Sequence, residues 1–152
     1  MKVDTIQHKG RAAEVLLVED NHGDVLLTKK AFKQAKIINN ITVAKNGEEA
    51  MQILRRQGPY ATASVPDIIL LDLNLPKKNG KEVLSDIKSD SMLKHIPVVI
   101  LTSSRAELDV VKTYDLHANS YIIKPVSLEK FSEVVAGIER YWFTIVVLPE
   151  EE

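Results

Sequence analysis

The chain has 152 residues, of which 45% are hydrophobic and 27% are charged. This balance is typical of one soluble domain with its own core and argues against intrinsic disorder. The formal net charge of -1 provides no basic surface for nucleic acid. Cysteine is absent, which excludes disulfides and thiolate metal sites and suits a cytoplasmic location. No apolar run is long enough to span a bilayer, so no membrane association is expected.

Short apolar runs alternate with helical patterns after a polar segment, residues 1–12, which we expect to be a flexible tail. None of these runs alternates with polar residues, as is typical of parallel strands that are covered on both faces. The predicted strands are, in chain order, residues 15–18, 41–43, 68–71, 98–101 and 121–123, and the second has the weakest pattern.

Helices are predicted between these strands from apolar residues at spacings of three and four. The first helix begins at a cap formed by Asn21 or Asp24. Its expected apolar face comprises Val25, Leu26, Phe32 and Ala35. The other helices are expected at residues 47–56, 80–89 and 106–114, and from the N-cap Ser127 onward.

The alternation of strands and helices predicts one α/β domain over residues 13–141. Right-handed crossovers place helices on both faces of the sheet. The expected fold is flavodoxin-like, with a doubly wound five-stranded parallel sheet of strand order 2-1-3-4-5. Residues 142–152 would then form an apolar C-terminal extension.

Charged and polar residues follow the predicted strands directly. They are Glu19 and Asp20 after the first, Asp72 after the third, Thr102 after the fourth and Lys124 after the fifth. In such a sheet, ligands bind at the carboxyl ends of the strands, near the switch point between strands one and three. Two of the carboxylates at 4 Å would repel by roughly 4 kcal/mol at an effective dielectric constant near 20. A divalent cation that prefers oxygen ligands, Mg²⁺ or Mn²⁺, would offset this repulsion and suit a phosphoryl group.

The same residues stand in motifs that resemble the receiver domain of two-component response regulators. The similarity extends over about residues 14–140. Each fragment alone is a weak signal, but their order along the chain is specific. The motifs are Leu17-Val18-Glu19-Asp20-Asn21, Leu71-Asp72-Leu73-Asn74-Leu75-Pro76, Gly80, Thr102-Ser103, Tyr121 and Lys124-Pro125.

The resemblance implies a phosphoacceptor with a metal beside it. Asp72 would accept the phosphoryl group, and Asp20 would bind the metal directly. Glu19, where many receivers have Asp, would reach the metal through water. The backbone carbonyl of Asn74 would complete the ligands that the protein supplies.

Three further residues would respond to the phosphoryl group, according to the same resemblance. Thr102 would donate its hydroxyl to a phosphoryl oxygen, and Lys124 would pair first with the acceptor and then with the phosphoryl group. Tyr121 would turn its ring inward when Thr102 moves. The peptide bond before Pro125 would be cis.

A closer resemblance is to the small regulators that partner bacterial and cyanobacterial phytochromes. It rests on residues 72–83, 58–60, 114–117, 141–143 and 147–149. It implies a single-domain response regulator that is phosphorylated by a sensor histidine kinase, with a phytochrome as the candidate. Such a protein catalyses only its own phosphorylation and dephosphorylation. It signals through protein contacts or through a phosphorelay with a histidine phosphotransfer protein.

The same residues allow other interpretations. Glu19 and Asp20 could simply cap the first helix, Thr102 could be an ordinary N-cap, and Tyr121 a core aromatic. An aspartate-nucleophile phosphatase of the haloacid dehalogenase type would need a second Asp where this chain has Asn74. A flavin-binding electron carrier would need a hydroxyl-rich loop after the first strand, where this chain has acids instead.

The C-terminal extension is almost wholly apolar from residue 141 to residue 148. It either folds back on its own domain or forms a self-complementary surface. We expect a homodimer, since each large side chain left in water would forfeit about 1.5 kcal/mol or more. The expected contact comprises the fourth and fifth helical regions, Tyr121, and the residues Tyr141, Trp142, Phe143, Ile145 and Val146.

We therefore predict that a chain cut after Arg140 sediments as a monomer, whereas the full-length chain sediments as a dimer. The physical reason is the loss of the apolar surface that the two copies would bury against each other. Sedimentation velocity of both proteins at matched concentrations makes the comparison. A full-length protein that stays monomeric at high micromolar concentration contradicts the dimer, and a truncated protein that dimerises removes the extension as its cause.

Overall fold

The computed structural model describes residues 12–34, 39–107, 109, 120–127, 129, 130 and 133. The elements in this part of the chain are β1 (Ala13–Val18), α1 (His22–Gln34), β2 (Asn39–Ala44), α2 (Gly47–Leu54), a 3-10 turn (Gly58–Tyr60), β3 (Ile68–Asp72), α3 (Gly80–Ser89), β4 (Val98–Thr102) and β5 (Ser120–Ile123). None of the described helices is both long and apolar enough to cross a membrane.

The five strands form one sheet in the order β2-β1-β3-β4-β5, and every pair is parallel. Both the fold class and the strand order predicted from the sequence are therefore confirmed. The first strand begins earlier than predicted, because Ala13 is fully buried and already pairs with Asn39 of β2.

Alternate residues of the central strands enter two separate cores, one on each face of the sheet. One core contains Leu16, Val18, Ile69, Leu71, Val98 and Ile100, packed against α2 and α3. The other contains Val15, Leu17, Ile68, Leu70, Val99 and Leu101, packed against α1. Because both faces are covered, β3 and β4 are buried at every position, which explains their uninterrupted apolar sequences.

The buried face of α1 differs from the predicted one at one position. Val25 and Phe32 are buried as expected, but Leu26 is 53% exposed. The inward-facing positions are instead Val25, Thr28, Ala31 and Phe32, whose spacing of three and four keeps them on one side of the helix. Leu26 is one residue from Val25 and therefore points about 100° away from it. Ala35 lies outside the described residues.

The helix boundaries follow from local hydrogen bonds. Of the two caps that the sequence allowed for α1, the structure has Asn21, whose Oδ1 accepts the backbone N–H of Asp24 at 2.9 Å. The second helix ends at Leu54 rather than at the predicted Arg56. Arg56 has a φ of 54°, which no helical residue adopts. The third helix spans the predicted range and begins with a capping box between Asn79 and Glu82.

Several predictions concern residues outside those that the structure describes. They include most of the 1–12 tail, the greater part of the predicted helix at 106–114, and the whole 142–152 extension with the expected contact residues from Tyr141 to Val146. The domain limits and the homodimer therefore stay predictions.

Gly80, the first residue of α3, packs directly against the backbone that carries Asp72. A Cβ atom at Gly80 would lie 2.6 Å from the Cα atom of Leu73 and also inside contact distance of the Asp72 carbonyl oxygen. The backbone N–H of Gly80 donates to the Leu73 carbonyl at 3.1 Å, which fixes this approach. Only glycine fits here without a shift of the strand end.

We predict that Gly80→Ala lowers the free energy of unfolding by about 1–3 kcal/mol, because the added methyl group forces the Asp72–Leu73 backbone to move. Urea denaturation measures the change. The matched control is Ser85→Ala on the exposed side of the same helix, which should stay within about 0.5 kcal/mol of the parent. Equal stability of the two variants would contradict the packing argument.

Candidate functional site

Three carboxylates converge at the carboxyl ends of β1 and β3. Glu19 and Asp20 follow β1, and Asp72 is the last residue of β3, while the pairing of Val18 with Leu71 brings the two strand ends side by side. One carboxylate oxygen from each residue lies within 4.8 Å of the others. Glu19 and Asp72 are 1% and 4% exposed, whereas Asp20 is open to solvent. The predicted acidic cluster is therefore present.

The ammonium group of Lys124 contacts three carboxylates. Its Nζ lies 2.7 Å from Oε1 of Glu19, 2.9 Å from Oδ2 of Asp24 and 3.3 Å from Oδ2 of Asp72. The side chain is 12% exposed, so water screens these contacts little. The backbone N–H of Lys124 donates to the Thr102 carbonyl at 2.7 Å, which ties the end of β5 to that of β4. The Lys124–Pro125 peptide bond is cis, as predicted.

Burial disfavours the charged form of Glu19 more than the neighbouring Lys124 ammonium favours it. Burial, and then hydrogen bonding to Asp72, raise the pKa of Glu19 from its ordinary value of 4.5 to about 7, and Lys124 opposes this shift only in part. For Lys124, burial alone would lower the pKa, but the close contacts of the ammonium with the carboxylates of Glu19 and Asp24 outweigh burial and raise it. The ammonium thus stays charged, while the buried acids lack full compensation.

The donor set fits a divalent cation. Oε1 of Glu19 is buried and, within the described part of the chain, accepts no hydrogen bond of ordinary geometry, although the ammonium of Lys124 faces it as an ion pair. All the available ligand atoms are hard carboxylate oxygens, which Mg²⁺ and Mn²⁺ prefer. A cation there would relieve both the unsatisfied oxygen and the repulsion between the acids.

Thr102, the last residue of β4, lies beside this cluster but its hydroxyl is engaged elsewhere. Oγ1 donates to Oε1 of Glu107 at 2.9 Å and accepts the backbone N–H of Ser104 at 3.1 Å. The side-chain amide of Asn74 donates to the same Glu107 oxygen at 3.2 Å. The backbone N–H of Asn74 donates to Oδ1 of Asp72 at 3.1 Å.

Tyr121 is half-buried in β5 and packs against the core that α2 and α3 cover. Its neighbour across the sheet is Ile100 of β4. Tyr121 is therefore close to the Thr102 strand, as the switch role requires, and it also has the packing of a core aromatic. Both interpretations from the sequence remain compatible with this position.

Two residues of the site were not predicted for these roles. Asp24 was considered only as a helix cap, yet its carboxylate holds Lys124. Its position in the first turn of α1, directly after the carboxyl end of β1, was the available signal. Glu107 was not singled out, although Ser104 and Glu107 have the spacing of a capping box.

Comparison with known proteins shows the family of this chain. The family model described as the response regulator receiver domain matches residues 15–136. Response regulator Rcp1 from Synechocystis sp. (strain ATCC 27184 / PCC 6803 / Kazusa) is 44% identical over 135 residues, which cover 89% of this chain and 92% of Rcp1.

Solved structures agree with the sequence match. The bacteriophytochrome response regulator RtBRR superposes with a TM-score of 0.83 at 42% identity, covering 92% of this chain and 84% of RtBRR. The phosphorylated cyanobacterial phytochrome response regulator RcpA has a TM-score of 0.73 at 46% identity, covering 92% and 100%. The Mn²⁺-bound form of Rcp1 has a TM-score of 0.71 at 43% identity, covering 91% and 99%. This chain belongs to the response regulator receiver domain family.

Proposed function

We propose that this protein is a single-domain response regulator that accepts a phosphoryl group on Asp72 from the phosphohistidine of a sensor kinase. The observation that carries the proposal is the position of Asp72. It ends a buried central strand, lies within reach of two further acids, and has the Lys124 ammonium 3.3 Å from its Oδ2 atom. This arrangement suits a carboxylate that gains and loses a charged group.

The proposed transfer forms one bond and breaks one bond. A carboxylate oxygen of Asp72 attacks phosphorus, and the donor's nitrogen–phosphorus bond breaks with its electron pair going to the imidazole. Negative charge develops on the phosphoryl oxygens, and Lys124 lies where it can stabilise that charge. The backbone N–H of Asn74, which donates to Oδ1 of Asp72, orients the carboxylate and leaves Oδ2 toward Lys124.

We propose that Glu19, Asp20, Asp72 and the backbone carbonyl of Asn74 hold Mg²⁺ or Mn²⁺, with Glu19 acting through water. When bound, the cation neutralises charge on the acceptor and on the incoming phosphoryl oxygens. The crowding of the three carboxylates and the raised pKa of Glu19 support this ligand set. The Mn²⁺-bound form of Rcp1 supports it from a relative.

The proposed output is a change of surface that another protein recognises. Thr102 would donate to a phosphoryl oxygen and Tyr121 would follow it inward, which extends the change from Asp72 to the edge strand β5. A phytochrome is the proposed kinase, because RtBRR and RcpA are named as phytochrome response regulators. Further proposed partners are a second copy of the chain and a histidine phosphotransfer protein.

The phosphatase alternative is not favoured. The chain belongs to the receiver family over residues 15–136, and Asn74 stands where that alternative needs its second acid. A phosphatase of this type would use an acid at this position to protonate the leaving group. Asn74 has an amide there, and this amide donates a hydrogen bond to Glu107.

We predict that the full chain gains one phosphoryl mass with acetyl phosphate and Mg²⁺, and that Asp72→Asn gains none, because an amide oxygen does not form the acyl phosphate. Intact mass spectrometry gives the result. Asp109→Asn, which removes the same charge at an exposed position, is the matched control and should label like the parent. Labelling of Asp72→Asn at the parent level would overturn the assignment.

We also predict that Mg²⁺ raises the melting temperature of the parent and has no such effect on Asp20→Ala. A ligand at ten times its Kd stabilises the folded state by about 1.4 kcal/mol, a shift of a few degrees for a chain of this size. Thermal melts with Mg²⁺ and with EDTA measure the shift, and Asp109→Ala serves as the control. Equal shifts in parent and Asp20→Ala would exclude Asp20 as a ligand.

A further inference from the structure

The carboxylate of Glu107 joins the two loops that flank Asp72. It accepts the hydroxyl of Thr102 at 2.9 Å, at the end of β4, and the side-chain amide of Asn74 at 3.2 Å, two residues after the end of β3. Both bonds go to the same oxygen, Oε1. Glu107 itself is half-buried and lies in the helical residues that follow the Thr102 loop.

The hydrogen bonds around Glu107 differ from those expected if this residue only capped its helix. In a capping box, the glutamate reaches back to the backbone N–H of the cap residue. Here Ser104 Oγ accepts the N–H of Glu107 at 3.2 Å, which is the first half of the box. The second half is missing, because the N–H of Ser104 donates to Thr102 Oγ1 at 3.1 Å instead. The Glu107 carboxylate is thereby directed to the phosphorylation site.

The Thr102 hydroxyl has one proton, so it can donate to only one strong acceptor at a time. Its contact with the charged Glu107 oxygen is shorter than the 3.3 Å contact with the neutral carbonyl of Ser104. Hydrogen bonds to a charged acceptor are also the stronger kind. A phosphoryl group on Asp72 must compete with Glu107 for that proton.

We propose that Glu107 is a positioning residue that holds the site in its unphosphorylated arrangement by binding the Thr102 hydroxyl and the Asn74 amide. The proposal rests on the proposed function of Asp72. Phosphorylation then exchanges partners: the Thr102 hydroxyl leaves Glu107 for a phosphoryl oxygen, and the released carboxylate moves away from the new negative charge. The helix start that carries Glu107 is released in the same event, which connects the acceptor to a surface segment.

The test compares labelling rates with acetyl phosphate and Mg²⁺, by intact mass, in three full-length variants. Glu107→Asp keeps the charge but is one methylene too short for both contacts. Glu107→Ala loses charge and contacts, and Asp109→Ala removes an equal charge from an exposed position two residues away. Both Glu107 variants should label about three- to tenfold faster than the parent, the effect of losing one competing hydrogen bond. Asp109→Ala should match the parent.

A coupling measurement separates positioning from simple stabilisation of the helix. In a Thr102→Val background, Glu107→Ala should raise the labelling rate by a smaller factor than in the parent background, because the Thr102 hydroxyl is gone and only the contact with Asn74 remains to be lost. If Glu107 only caps its helix, its replacement lowers the melting temperature and leaves the labelling rate unchanged.

The outcomes distinguish this proposal from the assignment of Asp72. Parent-like rates for Glu107→Asp and Glu107→Ala, with Asp72→Asn unlabelled, overturn the role of Glu107 and leave the acceptor in place. A rate increase in Glu107→Ala that Glu107→Asp does not share also overturns it, because charge alone then accounts for the effect. A parent protein that does not label overturns the proposed function.

Discussion

The ion-pair cluster around Lys124 is the interaction on which the rest of the site depends. One ammonium group lies between 2.7 and 3.3 Å from carboxylates of Glu19, Asp24 and Asp72, which belong to three different segments of the chain. A parallel sheet is the reason that they meet, because it places the carboxyl ends of β1, β3 and β5 at one edge. Without the lysine, two nearly buried acids would face each other uncompensated.

Lys124 compensates the negative charge of the surrounding carboxylates only in part. The uncompensated charge is what suits the site to a cation. One ammonium cannot neutralise four nearby carboxylates, and the pKa of Glu19 is accordingly raised to about 7 by burial and by Asp72. A cluster whose charges were fully balanced would attract a cation only weakly. The remaining deficit would favour a bound cation, and in the proposed function that cation and Lys124 together would offset the charge of a phosphoryl group on Asp72.

The fold and most of the site could be predicted from the sequence because strong local signals coincided. The uninterrupted apolar runs before Glu19, Asp72 and Thr102 required strands buried on both faces, and strand ends fix where the next side chain lies. Leu26 was misplaced because hydrophobicity does not reveal which side of a helix faces the sheet. Asp24 was missed because it had an adequate local explanation as a helix cap, and Glu107 was not singled out; only tertiary contacts show where the two carboxylates point.

Asp24 and Glu107, whose roles were not predicted from the sequence, suggest that phosphorylation would exchange one set of hydrogen-bond acceptors for another. Asp24 holds the Lys124 ammonium and Glu107 holds the Thr102 hydroxyl, and these are two donors that a phosphoryl group would need. Each donor is therefore already satisfied before the phosphoryl group arrives, so its later bond replaces an existing one and adds little net free energy. Two arrangements of nearly equal energy, with the same donors and different acceptors, are what a reversible switch requires. If Asp72 is the acceptor, as proposed, the acids around it would set how easily the site changes state as well as how well it binds a metal.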